Sequence, residues 1–358
     1  MFPFHHIHTI LFFFLILPPT TPARPPPTPG PSPSPSPVTV LTVKNDNHTR
    51  HEFDKFLDSR RGSHVSGIAD LKKYFHRFGY LPTKYLNFTD TFDTQFKRAI
   101  TQYQAQLGLP VSGNLDAITL SHVTEPRCGV SDTDTSPFMR HYAYFTGRPR
   151  WTRNIPMTLT YAFSPQYSIT VLNSSAIKTA FQRAFSRWSS VIPVNFTLTD
   201  DYAFADIKIG FYGGDHGDGE PFDGVLGVLA HSFSPEIGRL HLDAAETWAV
   251  DFESEKSEVA VDLESVALHE IGHVMGLKHT SVREAVMYPS LKPRERKLDL
   301  KVYDIKGIQD LYGSNPKFKL GSSNMESYIS SNHAVVLRFG LPMWIELVIV
   351  LVWFFSCM

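Results

Sequence analysis

The chain has almost no cysteine, only Cys128 and Cys357 in 358 residues. A disulfide framework is therefore excluded as the source of its stability. It also lacks an excess of charge of either sign. Lys and Arg number 34 against 35 Asp and Glu, a net charge of −1. No long-range field marks nucleic acid as a partner, so function has to be read from local sites. What the chain has in quantity is histidine, 16 residues, and their placement is informative.

Both ends read as processing segments. Residues 1–23 contain an apolar run, Ile10 to Leu17, followed by small and turn-forming residues, which fits a signal peptide. His5, His6 and His8 stand where basic residues are usual and belong to that leader. Asn47, Asn87, Asn173 and Asn195 head Asn-x-Ser/Thr sequons, the acceptors of glycan on a secretory route. Residues 341–358 are nearly all apolar, broken by Glu346, and follow a polar spacer at 314–340. This order suits a lipid-anchor (GPI) signal better than a lasting transmembrane helix, which stays open as the alternative. With either kind of C-terminal anchor the protein would be held on the extracellular side of the plasma membrane. With Cys357 in the removable tail, Cys128 is left without a partner.

Residues 24–63, opening with a Pro/Ser/Thr-rich run, are expected to form a linker with no core of its own. From His64 the pattern turns helical. Ile68, Leu71, Tyr74, Phe75 and Phe78 share one helix face, as do Phe92, Phe96, Ile100, Tyr103 and Leu107. A third short stretch runs from Leu115 to His122. After Cys128, β-rich runs at Met157–Phe163, Val194–Leu198 and Ile207–Tyr212 flank a helix expected over Ser174–Ser189. Helices are expected again over Val259–Gly276 and Val302–Tyr312, with a Gly- and Asp-rich loop at 213–224. Three helices and then interleaved strands and helices make an α+β chain of two domains, 64–141 and 142–313.

His269-Glu270-Ile271-Gly272-His273-Val274-Met275-Gly276-Leu277-Lys278-His279 reads H-E-x-x-H-x-x-G-x-x-H. Residues i and i+4 share a helix face, so His269 and His273 can present imidazoles to one cation. Glu270 can reach a water there without being a ligand. Gly276 lets the helix end with positive φ and bring in His279 as third ligand. Three nitrogens and an open fourth position suit a catalytic zinc. At this composition a chance match is expected on the order of 10⁻⁴ times per chain.

The motif is that of the metzincin peptidases, and Met287-Tyr288-Pro289 resembles their methionine turn. Pro126-Arg127-Cys128-Gly129-Val130-Ser131-Asp132 resembles the cysteine switch of matrix metalloproteinase propeptides. Residues 64 to 313 as a whole are similar to the short plant matrixins without hemopexin repeats, with a new N-terminus implied at Tyr142. The resemblance implies a metzincin domain, a twisted mixed sheet with three helices, behind a three-helix prodomain. It implies a latent, secreted, monomeric endopeptidase acting on proteins or peptides, with Cys128 as inhibitory zinc ligand and Glu270 as general base. It further implies a structural zinc held by His216, Asp218, His231 and His241, and calcium at Asp223, Gly224, Val228, Asp243 and Glu246. Arg239 stands where an Asp for another calcium is frequent, so that further site is not assigned. Two rivals compete with this reading. One is a catalytically dead binding protein of the same shape, against which the intact Glu270 and histidines argue. The other is a wall-polysaccharide binder, since such prodomains resemble peptidoglycan-binding modules, but this leaves the zinc motif idle.

Overall fold

Three short helices come first among the elements described: α1 (Ile68–Arg77), α2 (Thr94–Gln106) and α3 (Ala117–Val123). The computed structural model describes residues 53–57, 59–82, 88–133 and 142–319. Asp93 and Asp116 cap α2 and α3, each side chain accepting a backbone N–H of the first turn, from Phe96 and Thr119. The apolar faces of α1 and α2 meet in a core of Ile68, Leu71, Phe75, Phe96, Ile100 and Tyr103, all at or near full burial. Phe53 and Phe56 are buried in the same core. The folded domain therefore begins by Phe53, and the linker expected over residues 24–63 is too long at its C-terminal end. Two aromatics in a polar stretch carry no periodicity, so only packing reveals them.

The second part is built on a six-stranded mixed sheet. Its strands are β1 (Arg127–Cys128), β3 (Met157–Phe163), β4 (Val194–Leu198), β5 (Ile207–Tyr212), β6 (Val228–Ser232) and β7 (Arg239–Asp243), in the order β1-β6-β7-β5-β3-β4. The pairs are parallel except β6 with β7. Short pairs join β2 (Ala143–Tyr144) to β10 (Leu277–Lys278), and β8 (Trp248–Ala249) to β9 (Val261–Asp262). The expected strands at 157–163, 194–198 and 207–212 are present with those bounds, whereas β6 and β7 had no distinct signal.

α4 (Ser174–Val191) packs on β3 and β4 through Phe185, whose ring lies 4.3 Å from Tyr161 and 4.7 Å from Phe196. α5 (Leu263–Val274) is buried along its whole length, and Trp188 Nε1 of α4 donates to Leu268 O at 2.9 Å. α5 starts later than the expected Val259, because Val261 and Asp262 pair with β8 and Asp262 then caps the helix through Ser265 N. α6 (Val302–Tyr312) closes the domain. The α+β class, with a three-helix segment ahead of a mixed sheet and three helices, is as the sequence indicates. The expected signal peptide, Asn47, Asn87, most of the spacer and the segment 341–358 lie outside the described residues. Among the described residues no helix is long and apolar enough to cross a membrane.

Candidate metal and catalytic centre

The centre is assembled from α5, the turn after it and a strand brought from far away. His269 and His273 lie one turn apart on α5. Gly276, at φ 104°, ends the run, and a side chain there would meet Pro149 O at 2.4 Å. The chain then reverses and brings in His279. Nε2 of His273 is 3.1 Å from Nε2 of both His269 and His279, and Cys128 Sγ is 3.4 Å from His273 Nε2. Ligands at about 2.0–2.1 Å in a tetrahedron stand roughly 3.3 Å apart, so the four groups fit zinc.

Proton bookkeeping makes the same point. Nδ1 of His269 faces Val286 O at 2.7 Å, that of His273 faces Leu277 O at 2.8 Å, and that of His279 faces Asp132 Oδ1 at 2.7 Å. Each Nδ1 sits against an acceptor and carries the proton, so the three Nε2 lone pairs converge on one point. Burial lowers the pKa of all three rings, so protonation does not relieve this. A cation does. Burial and then the Glu270 charge push the Cys128 thiol up, and a metal ion reverses that balance.

Glu270 is wholly buried beside Cys128 and Ser232, and burial pushes its pKa up to about 7. Met287 packs under α5, where a side chain at Gly272 would meet its Sδ at 2.3 Å. Cys128 arrives as a strand between two walls. Arg127 N donates to Gly227 O, Gly129 N to Ala230 O, and Cys128 N to Pro289 O. β1 thus runs parallel to β6 and fills the cleft as an added strand.

Two residues that steady this centre, Tyr80 and Asp304, had no sequence signal of their own, whereas Arg127 and Asp132 belong to the switch motif. Arg127 donates to Asp132 Oδ1 at 2.7 Å, and Tyr80 donates to Asp132 Oδ2 at 2.7 Å. Burial opposes ionisation of Asp132, but Arg127 and the His279 bond outweigh it and keep the carboxylate charged. Asp304 accepts from the N–H groups of Val286, Met287 and Lys301 and so anchors the turn beneath the histidines. Tyr80 and His279 are distant from Asp132 in the chain, as Val286 and Met287 are from Asp304, and only the fold joins them.

A second cluster lies on the loop at 213–224 and on β6 and β7. Asp218 Oδ2 is 2.9 Å from His216 Nε2, 2.8 Å from His231 Nε2 and 2.8 Å from His241 Nδ1. The four ligand atoms lie within 4.8 Å of one another. Burial lowers the pKa of His231 and His241 to about 4, keeping both neutral, and His216 Nδ1 lies against Gly214 O at 3.0 Å. Three imidazoles and a carboxylate make a closed set suited to structural zinc.

Beside it, Gly224 N donates to Asp243, Val228 N to Asp223, and Leu226 N to Glu246. Asp223 Oδ2 and Glu246 Oε2 are buried without a hydrogen-bond partner. Burial and then Asp243 push Glu246 up to about 8, and burial raises Asp223 and Asp243. Three crowded carboxylates with unused oxygens suit calcium. Of the described sequon residues, Asn173 caps α4 through Ser175 N, and Asn195 lies exposed on β4.

Residues 150–313 match the matrixin family profile, and residues 64–122 match a putative peptidoglycan binding domain. The chain is 54% identical over 300 residues to Metalloendoproteinase 1-MMP of Arabidopsis thaliana, covering 82% of each protein. To Metalloendoproteinase 4-MMP of the same plant it is 57% identical over 260 residues, 71% of this chain and 75% of that one. To Metalloendoproteinase 1 of Glycine max it is 43% identical over 271 residues, 73% of this chain and 87% of the relative. Carried by this similarity and by the clustered histidines, the conclusion is that the chain belongs to the matrixin family, as a zinc metalloendopeptidase of the short plant type that uses zinc and calcium.

Proposed function

We propose that the protein is made as a latent precursor, secreted, and switched on when residues 126–132 leave the cleft. The observation that carries this is Cys128 Sγ, 3.4 Å from His273 Nε2 and inside the histidine cluster. In the latent state Cys128, His269, His273 and His279 would hold a zinc ion, and with Cys128 withdrawn the three histidines would remain as its ligands. Zinc held there supplies Lewis acidity, polarising a carbonyl and acidifying water.

The protein's own groups do the rest. The walls of the cleft, β6 on one side and Pro289–Leu291 on the other, offer main-chain groups to an extended peptide in place of β1. Glu270, beside the cleft that Cys128 vacates, would take a proton from the attacking water and return it to the departing amine. Leu229, Val266, Val286 and Tyr288 line a pocket beside Glu270 for the side chain after the cut. His216, Asp218, His231 and His241 hold the structural zinc, and Asp223, Asp243 and Glu246, with main-chain oxygens of Gly224 and Val228, hold calcium.

Removal of the prodomain by a cut ahead of Tyr142, inside residues 134–141, makes activation permanent. With no Arg-x-Lys/Arg-Arg run there, autocleavage or another protease makes the cut. The composition of residues 1–23 and 341–358 supports a secreted enzyme, GPI-anchored at the outer face of the plasma membrane, and the family membership supports protein or peptide substrates.

The test compares the refolded precursor with a Glu270→Gln variant on a quenched fluorescent peptide, before and after a mercurial. Wild type becomes active only after treatment. The variant keeps its zinc, measured by metal analysis, yet turns over on the order of 10²–10⁴ times more slowly. Activity in the untreated precursor refutes latency. A variant of near-normal rate refutes the role of Glu270.

A further inference from the structure

The last helix of the prodomain carries a histidine that none of the metal chemistry uses. His122 is 2% exposed, and both of its ring nitrogens are engaged. Nδ1 is 2.7 Å from Tyr103 Oη of α2, and Nε2 is 2.6 Å from Tyr288 Oη in the turn beneath the active-site histidines. Tyr288 Oη in turn donates to Leu107 O at 3.3 Å. One proton order satisfies the whole chain: Tyr103 O–H donates to Nδ1, Nε2–H donates to Tyr288, and Tyr288 donates to Leu107. The rings add edge-to-face contacts at 5.7 Å on each side of the imidazole.

One turn further on, Glu125 crosses the same boundary. Its carboxylate is 2.9 Å from Arg283 Nη2 and 3.4 Å from Lys292 Nζ, both on the catalytic side. Nearby, Gly108 lies so close to Ser281 that a side chain there would meet Ser281 O at 2.9 Å. None of these contacts involves a metal ligand.

We propose that His122 and Glu125 form a second latch that docks the prodomain on the Arg283–Lys292 segment independently of the thiol. Latency then rests on two fastenings, the cysteine at the metal and a hydrogen-bonded joint at the wall of the specificity pocket. The second keeps Cys128 beside the metal after each brief thiol release. Opening the prodomain breaks the His122–Tyr288 and Glu125–Arg283 bonds together, which makes release cooperative. This rests on the latent-precursor reading above, and the test separates the two.

The experiment measures alkylation of Cys128 by iodoacetamide in the zinc-loaded full-length precursor, followed by mass, alongside the rate of mercurial activation. His122→Leu preserves volume but removes both hydrogen bonds, and is expected to speed labelling and activation roughly tenfold. Glu125→Gln, which keeps the shape of a side chain that is 11% exposed and removes only its charge, is expected to speed both about two- to fivefold. Once the prodomain is cleaved away, the variants are identical to wild type and match its rate. Labelling and activation at the wild-type rate in folded Glu125→Gln and His122→Leu overturn the second latch. If His122→Leu does not fold, an unchanged rate in Glu125→Gln alone overturns it. An untreated wild-type precursor that already cleaves peptide refutes latency instead, while the labelling rates still report whether the joint exists.

Discussion

Replacing Asp132 with Asn tests how the switch peptide is held. The carboxylate binds Arg127, Tyr80 and His279, each at 2.7 Å. The side chains of Arg127 and Asp132 are 2% and 0% exposed, so water does not screen the pair. Asn keeps the shape and one acceptor but leaves the Arg127 charge buried without its counter-ion. Breaking a buried pair from one side costs about 3–5 kcal/mol, and the retained amide contacts argue for the lower end, about 3 kcal/mol. Arg127 keeps its place over the Phe78 ring, 3.6 Å from the centroid, in both forms, so that contact cancels. The penalty falls mainly on the docked state, since an open switch peptide lets the guanidinium reach water. At 1.36 kcal/mol per factor of ten, the open fraction rises on the order of 100-fold. The assay is initial hydrolysis of a quenched peptide by the precursor with no thiol reagent, with zinc content and the melting curve recorded in parallel. An Asp132→Asn precursor that folds, binds zinc and stays as silent as wild type refutes the reasoning.

Gly272→Ala is expected to destabilise the protein by about 1–3 kcal/mol although Ala is the better helix former, because the new methyl meets Met287 Sδ at 2.3 Å and Trp188 at 3.1 Å; a melting temperature at or above that of wild type counts against the packing described. A strong chelator is expected to lower the melting temperature as well as abolish activity, since it strips cations from the crowded carboxylates and the Asp218 cluster; lost activity with an unchanged melting curve removes the structural role of the metals. Burial raises Asp304 to about 6 from its ordinary 3.8. Between those values the folded chain holds a proton that the unfolded chain has lost, so this group's contribution to stability falls as pH rises through the window. Asp304→Asn is expected to flatten that decline in urea midpoints measured from pH 4 to 6, and an unchanged slope refutes the assignment.

The centre was legible in the sequence to the extent that its geometry is local. His269, Glu270 and His273 are placed by helix periodicity alone, and Gly276 and His279 by the way that helix ends. The amphipathic repeats of α1, α2 and α4 and the strands β3 to β5 are local in the same sense, because burial of one face leaves a period in the residues. β6 and β7 escaped notice since Val228–Ser232 carries no alternation and the alternation of Arg239–Asp243 rests on Leu240 and Leu242 alone, too short a pattern to stand out. Phe53 and Phe56 escaped it because two rings make no period.

The chemistry proposed for the centre, with its ligands, its base and its competing thiol, was thus readable from the order of residues. The arrangement around those groups came from the fold. It set β1 parallel to β6, brought Asp132 to His279 across 147 residues and His122 to Tyr288 across 166. The physical reason is range. Helix geometry and turn chemistry act over a few residues and leave their mark on the order of the letters. A buried hydrogen bond between distant segments is chosen by the packing of everything else, and leaves none.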